Sequence, residues 1–216
     1  MDEKIWYLQQ IDLFKGIPDA DIMEIAEKIV EKKCHKKEVN YTPFEENKYI
    51  CLLKKGEVTL YHSHQGRKLI IDILKPGAVF GNFSFDENKS EHFAEVTEDA
   101  YMCFFEMKDF LKILQARPEL MLRFMKIMSG RIREYENKMK GGLYDAKQKI
   151  IHHLAILEEK NRKSLLNRLR PSRSKLTHNK LAQQIGLSRE TVTRAITDLK
   201  KEGKIIDKEN GTLALP

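Results

Sequence analysis

The sequence contains no run of apolar residues approaching the roughly 20 needed to cross a bilayer. Its opening, Met-Asp-Glu, lacks the charged-then-apolar order of a secretory signal, so a cytoplasmic protein without membrane attachment is expected. Cysteine is scarce. Cys34, Cys51 and Cys103 are odd in number and widely spaced, which excludes a disulfide framework and a zinc-finger spacing. No paired carboxylates, nucleophile–base pair or phosphate-binding loop can be found, so an enzyme is not expected.

What is present is an uneven charge. Residues 1–139 hold 22 Lys and Arg against 24 Asp and Glu, whereas residues 140–216 hold 17 against 8. A mildly acidic front joined to a strongly basic back fits a sensor attached to a nucleic-acid binder. At 216 residues the chain suits one large or two small domains, each with its own core.

The basic part holds the most informative stretch, Leu181 to Gly203. Leu181, Ala182 and Ile185 lie on one side of a first helix; Val192, Ala195, Ile196 and Leu199 form the apolar stripe of a second. Gly186 between them permits the positive φ of a sharp helix exit, and Ser188 is placed to cap the second helix. Thr177 is placed to cap the first. This is the spacing of a DNA-binding helix-turn-helix. Arg189, Glu190, Thr193, Arg194 and Thr197 fall outside the stripe. Arg can donate twice to guanine and a carboxylate can accept from cytosine, so Arg189, Glu190 and Arg194 are candidate base readers. The alternative is a solvated face with a Glu190–Arg194 ion pair.

The motif Ser188-Arg189-Glu190-Thr191-Val192-Thr193-Arg194 resembles the recognition helix of the cyclic-AMP receptor protein and fumarate-nitrate regulator family of bacterial transcription regulators. The resemblance implies base contacts from Arg189, Glu190 and Arg194 on an inverted repeat similar to TGTGA-N6-TCACA. Thr177, Ser188, Thr191 and Thr193 are expected on the DNA backbone. The resemblance also implies a homodimer that engages RNA polymerase, and it extends over nearly the whole chain.

Residues 5–33 read as helical around a turn at Gly16-Ile17-Pro18, with Asp19 or Asp21 as a cap. From Cys34 to Glu106 the period changes to short strands: Tyr49–Leu53, a turn at Lys54–Glu57, Val58–His62, a turn at Gln65-Gly66, then Leu69–Leu74. Glycines at 56, 66, 77 and 81 indicate an antiparallel roll, similar to the cyclic-nucleotide-binding jelly roll of the family. There, the founder's phosphate cassette begins Gly-Glu and ends Arg-Ser. Here Gly81 is followed by Asn82, and His92-Phe93 replaces Arg-Ser. A buried phosphate would lack its guanidinium. The founder's Thr-Ser pair on the long helix is Glu134-Tyr135 here. Cyclic AMP is therefore not the expected effector. Gly81, Asn82, Phe83, Phe85, His92, Phe93 and Tyr135 outline the expected effector pocket. An organic effector, a haem with His92 as axial ligand, and a pocket filled by its own aromatic rings all remain open.

His62 and His64 alternate on a strand and read as a solvated hairpin tip rather than a metal site. Cys34, with Lys32, Lys33, Lys36 and Lys37 around it, is a candidate redox sensor if its thiolate is exposed; Cys51 and Cys103 read as core.

Pro118 suits the first turn of a long helix reaching Lys140. Along it Met121, Met125, Met128, Ile132, Tyr135 and Met139 are spaced 4, 3, 4, 3, 4, a heptad seam for a second copy. Leu120, Phe124 and Ile127 form a second stripe facing the barrel. Gly141-Gly142 is the expected hinge. His152 and His153, neighbours on the next helix, point apart and make poor co-ligands. Arg162, Lys163, Arg168, Arg170, Arg173 and Lys175 are candidate phosphate contacts, and Lys204–Leu215 reads as a hairpin wing. The expected architecture is α+β: an N-terminal jelly-roll sensor (1–116), a dimerisation helix (117–140) and a C-terminal winged helix-turn-helix domain (141–216).

Overall fold

A computed structural model describes residues 3–83, 89–163, 176–208 and 212–216, the side chains of Glu3 and of 160–163 excepted. They form two compact units, Met1–Ile132 and Arg133–Pro216.

The first unit begins with helices α1 (Glu3–Gln10) and α2 (Asp19–Glu27). Six antiparallel strands follow: β1 (Val30–Cys34), β2 (Val39–Tyr41), β3 (Tyr49–His64), β4 (Arg67–Leu74), β5 (Val79–Gly81) and β6 (Phe93–Glu106). The sheet runs β1-β6-β3-β4, with β2 on β6 and β5 on β3. Helix α3 (Met107–Ala116) and the first part of α4 (Pro118–Lys140) complete the unit.

The run Ile50–Leu53 is continuously apolar because both faces of this part of β3 are covered, while Tyr49 before it is exposed. Ile50 and Leu52 join a core under the helices with Cys103, Phe105, Phe110 and Leu120, whereas Cys51 and Leu53 join the barrel interior with Val58, Phe80 and Met102. The second stripe of α4 does face the barrel unit: Leu120 is buried in the helix-side core, and Phe124 and Ile127 pack against it. Of the expected seam, Met125, Ile132 and Met139 are exposed and Met128 and Tyr135 half-buried, whereas Met121 packs against the helix-side core.

Three local expectations are corrected. Val30–Cys34 is a strand, not the end of a helix, because it finds β6 as a partner (Val30↔Phe104 to Cys34↔Ala100). Neither Asp19 nor Asp21 caps α2; Pro18 occupies that position without a side-chain bond, and Asp21 instead receives Arg117 Nη2 at 2.8 Å. Lys54–Glu57 is no turn. β3 runs straight through it, with register shifts against β6 around Lys55 and Glu57. Gly56, at φ +92°, is the reason: a Cβ there would stand 2.3 Å from the Asp99 carbonyl oxygen. The hairpin turn at Gln65-Gly66 forms as expected, with φ of 48° and 75°.

In the second unit a 3-10 turn (Gly141–Leu143) follows α4, then α5 (Ala146–Lys163), α6 (His178–Ile185), α7 (Arg189–Lys201) and a two-stranded wing, β7 (Ile206–Asp207) with β8 (Leu213–Ala214). Its core gathers Ile150 and Leu154 of α5, Leu181 and Ala182 of α6, the α7 stripe and Ile205. α4 thus ends at Lys140, before the glycine pair, whereas the division between the two units falls at Ile132/Arg133.

Candidate nucleic-acid interface and sensor pocket

The turn motif is assembled from local bonds. Thr177 Oγ1 accepts from Lys180 N at 3.1 Å and caps α6. α6 ends at Gly186 in the left-handed conformation (φ 69°), and Leu187 N donates to Ala182 O at 3.0 Å. Ser188 Oγ accepts from Thr191 N at 3.1 Å and caps α7. Val192, Ala195, Ile196 and Leu199 are buried beneath it. That burial leaves Arg189, Glu190, Thr191, Thr193, Arg194 and Thr197 on one exposed face.

The electrostatics of this face suit hydrogen-bond readout. The Glu190 carboxyl is held below the ordinary range by bonds from its own backbone N–H and the Ser188 hydroxyl, then by the charge of Arg189. It is therefore an acceptor at neutral pH. The neighbouring charge that lowers it is that of Arg189. Thr193 and Thr197 donate to the carbonyls one turn back, Arg189 O at 2.9 Å and Thr193 O at 3.0 Å.

The module is braced behind this face. Lys147 of α5 binds Glu202 at 2.5 Å and Asp198 at 3.6 Å, while Lys204 binds Glu202 at 2.8 Å. Together the two ammonium groups hold the Glu202 carboxyl down at about 2. His152 and His153 do not converge: one meets Asn137 O at 3.2 Å, the other Gln184 at 2.9 Å. The basic candidates Arg168, Arg170, Arg173 and Lys175, and the side chains of Arg162 and Lys163, lie outside the described residues.

The sensor residues have partners of their own. Gly81, at φ +136°, lets β5 approach β3 closely; a Cβ would meet Tyr49 O at 2.5 Å. Asn82 is buried. Phe83 turns to the helix-side core, 5.3 Å from the Phe124 ring. Phe93 stacks on Tyr61 at 5.1 Å, with Phe44 against its edge at 5.9 Å. The Tyr41 hydroxyl stands 3.0 Å from His92 Nε2. Phe85 lies outside the described residues. Tyr135 lies in the second unit, with the Lys138 ammonium 5.6 Å from its ring centre.

His92 is half-buried. Burial first, then the charges of His62 and Arg131, hold its imidazole below the usual histidine range, so it is neutral at pH 7. It offers a phosphate no cation. Its Nε2 is engaged by the Tyr41 hydroxyl. Two residues near His92 escaped sequence reading. Tyr41 sits on β2, and Arg131 on α4 donates to Val79 O at 2.9 Å with its Nε 4.0 Å from Asp72. Both are brought in by long-range pairing, and no local signal marks them.

The redox expectation for Cys34 is corrected. Its side chain is buried, and burial together with Glu38 pushes the thiol up, outweighing Lys32. Lys32 and Lys33 are themselves exposed, and Lys32 is paired with Glu38 at 2.6 Å. Cys51 and Cys103 are core, as expected, both pushed up to about 12. His62 and His64 are exposed at the β3–β4 hairpin, and no metal-binding group of three appears among the described residues.

Comparison with known proteins supplies the lineage. A cyclic nucleotide-binding domain model matches residues 31–117, and a Crp-like helix-turn-helix model matches residues 148–215. The chain belongs to the cyclic-AMP receptor protein and fumarate-nitrate regulator family. Its members are DNA-binding transcription regulators, not enzymes. Among curated relatives, the cyclic AMP receptor protein of Thermus thermophilus is 28% identical over 161 residues, 71% of this chain and 69% of that protein. Among solved structures, a CooA variant from Carboxydothermus hydrogenoformans aligns with a TM-score of 0.71 at 21% identity, over 89% of this chain and 85% of that one. The c-di-GMP-responsive regulator CLP of Xanthomonas campestris aligns at 0.72 and 14%, over 92% and 99%. At these identities the two structures establish the fold alone. No helix among the described residues is long and apolar enough to cross a membrane.

Proposed function

We propose that the protein acts in the cytoplasm as a homodimer. Its two recognition helices enter successive major grooves of an inverted repeat similar to TGTGA-N6-TCACA, about 34 Å apart. Arg189, Glu190 and Arg194 read bases; Thr177, Ser188, Thr191 and Thr193, with the wing, hold phosphates and set register. The seam of α4, from Met121 to Met139, whose Met125, Ile132 and Met139 are exposed, is the dimer contact, and RNA polymerase is the protein partner. Residues 1–116 sense, 117–140 dimerise and 141–216 bind DNA. The observation that carries this reading is the capped α7. It presents two guanidinium groups and an ionised carboxylate on its solvent face while its other face is buried.

The test is fluorescence anisotropy on matched half-sites and on half-sites changed at single base pairs. Arg189→Ala is expected to cost about 1–3 kcal/mol and to lose discrimination at one position. Uniform weakening on every sequence would refute base reading.

The effector of this reading is not cyclic AMP, since Asn82, neutral His92 and Phe93 stand where the founder's cassette has its acidic, cationic and hydroxyl groups. Calorimetry with cyclic AMP and cyclic GMP is expected to give no micromolar binding, and such binding by either would overturn the assignment. A second reading, constitutive DNA binding with a self-filled pocket, is favoured by the His92–Tyr41 and Phe93–Tyr61 pairings. Gel shift with purified protein and no added metabolite separates the two.

A further inference from the structure

The glycine pair at 141–142 reads as a hinge in sequence, but the elbow it makes is closed in the structure. The end of α4, the 3-10 turn and everything from α5 to β8 belong to one compact unit. His152, in the second turn of α5, is half-buried against that elbow. Its Nε2 lies 3.2 Å from the carbonyl oxygen of Asn137, in the last turn of α4. A carbonyl can only accept, so the ring donates from Nε2. The Tyr144 and His152 rings pack edge to face with centres 5.2 Å apart. Gly141 lies against the same imidazole: a Cβ there would stand 3.5 Å from His152 Cδ2.

The chain between the two helices is fixed by its own bonds. Tyr144 N donates to Gly141 O at 3.2 Å. Asp145 and Gln148 cap α5 reciprocally, Gln148 N donating to Asp145 Oδ1 at 2.8 Å and Asp145 N to Gln148 Oε1 at 3.1 Å. These bonds set the turn and the start of α5. The His152 bond reaches back across the elbow to α4.

The recognition helix is carried by α5. Leu154 shares a core with Val192 and Ile196 of α7. It lies about 12 Å beyond the start of α5, at 1.5 Å per residue. At that radius a swing of roughly 15–20° at the elbow moves α7 by about 3–4 Å, which is one base-pair step. In a dimer joined along α4, each recognition helix hangs from such an elbow, so the elbow angle sets their separation. We infer that His152 is a positioning residue for DNA spacing: by clamping α5 to the end of α4 it selects the number of base pairs between the half-sites. This rests on the dimeric DNA-binding reading above and adds to it a residue outside the recognition helix.

The experiment is fluorescence anisotropy of the full chain on duplexes whose two half-sites stand four, five, six, seven or eight base pairs apart, and on a duplex with a single half-site. Wild type is expected to prefer the six-pair spacer over five or seven by about tenfold. His152→Leu keeps a side chain against Tyr144 and loses the donor. It should bind the five-, six- and seven-pair spacers within about threefold of one another, with the single half-site affinity unchanged. His152→Gln, whose amide can donate to the Asn137 carbonyl, should restore most of the preference. A His152→Leu protein that keeps the full preference would overturn the inference. So would one weakened equally on every duplex, the single half-site included, since that is the mark of a merely structural role. A His152→Gln protein as tolerant of spacing as His152→Leu would overturn it too. Wild type that binds the repeat no better than the single half-site would instead sink the dimeric reading itself, and this one with it.

Discussion

Replacing Gly56 by Ala tests the packing that holds β3 against β6. Two costs combine. Gly56 sits at φ +92°, where an L-residue pays about 1–2 kcal/mol. The new methyl would also stand 2.3 Å from Asp99 O and 2.7 Å from Ala100 Cα. Both are backbone atoms of a paired strand, so relief requires β6 to shift, at about 1–3 kcal/mol. The total is roughly 2–5 kcal/mol. Gly66 supplies the control. Its φ is +75°, and an added Cβ meets nothing within 4 Å, so Gly66→Ala incurs only the conformational cost. Thermal unfolding followed by circular dichroism separates the two. In a unit of this size each kcal/mol is worth about 3–6 °C. Gly66→Ala should therefore lower the midpoint by roughly 3–12 °C, and Gly56→Ala by clearly more, roughly 6–30 °C or loss of folding. Equal shifts for the two variants would refute the close approach of the strands.

Ser188→Ala removes the cap of α7 and should cost about 1 kcal/mol of stability in denaturant titration, while Ser188→Thr should retain most of it. Glu202, held down to about 2, contributes stability that is present above its ordinary unfolded value and is lost as pH falls toward 2. Acid titration of the winged-helix unit should show that loss, and Glu202→Gln should flatten it; an unchanged acid limb would contradict the bracing by Lys147 and Lys204. The three thiols, buried and raised, should label with iodoacetamide at pH 7.5 only on unfolding; rapid labelling of Cys34 in the native protein would restore it as a redox candidate.

The turn motif was legible because its signals are local. Gly186, the Thr177 and Ser188 caps and the α7 stripe all lie within 23 residues of one another, and each reports a backbone need of its immediate neighbours. The barrel was legible only in outline. Lys-Lys-Gly-Glu reads as a turn when alone, and only the passage of Asp99 beside Gly56 makes it a bulge. Val30–Cys34 continued a helical rhythm until β6 supplied a partner some seventy residues on. The same distance hid the chemistry of the pocket. His92 looked available in sequence, yet Tyr41 and Arg131 come from other elements to engage and perturb it. Lysines adjacent to Cys34 suggested a thiolate, but the thiol is buried and Glu38, itself paired with Lys32, offsets their charge.

The most direct measurement is binding-site selection from random duplex DNA with the purified chain, followed by sequencing. The account predicts enrichment of inverted repeats whose short half-sites lie one helical turn apart, with single half-site positions relaxed in turn by Arg189→Ala, Glu190→Ala and Arg194→Ala. Enrichment of direct repeats or isolated half-sites, or no enrichment at all, would contradict it.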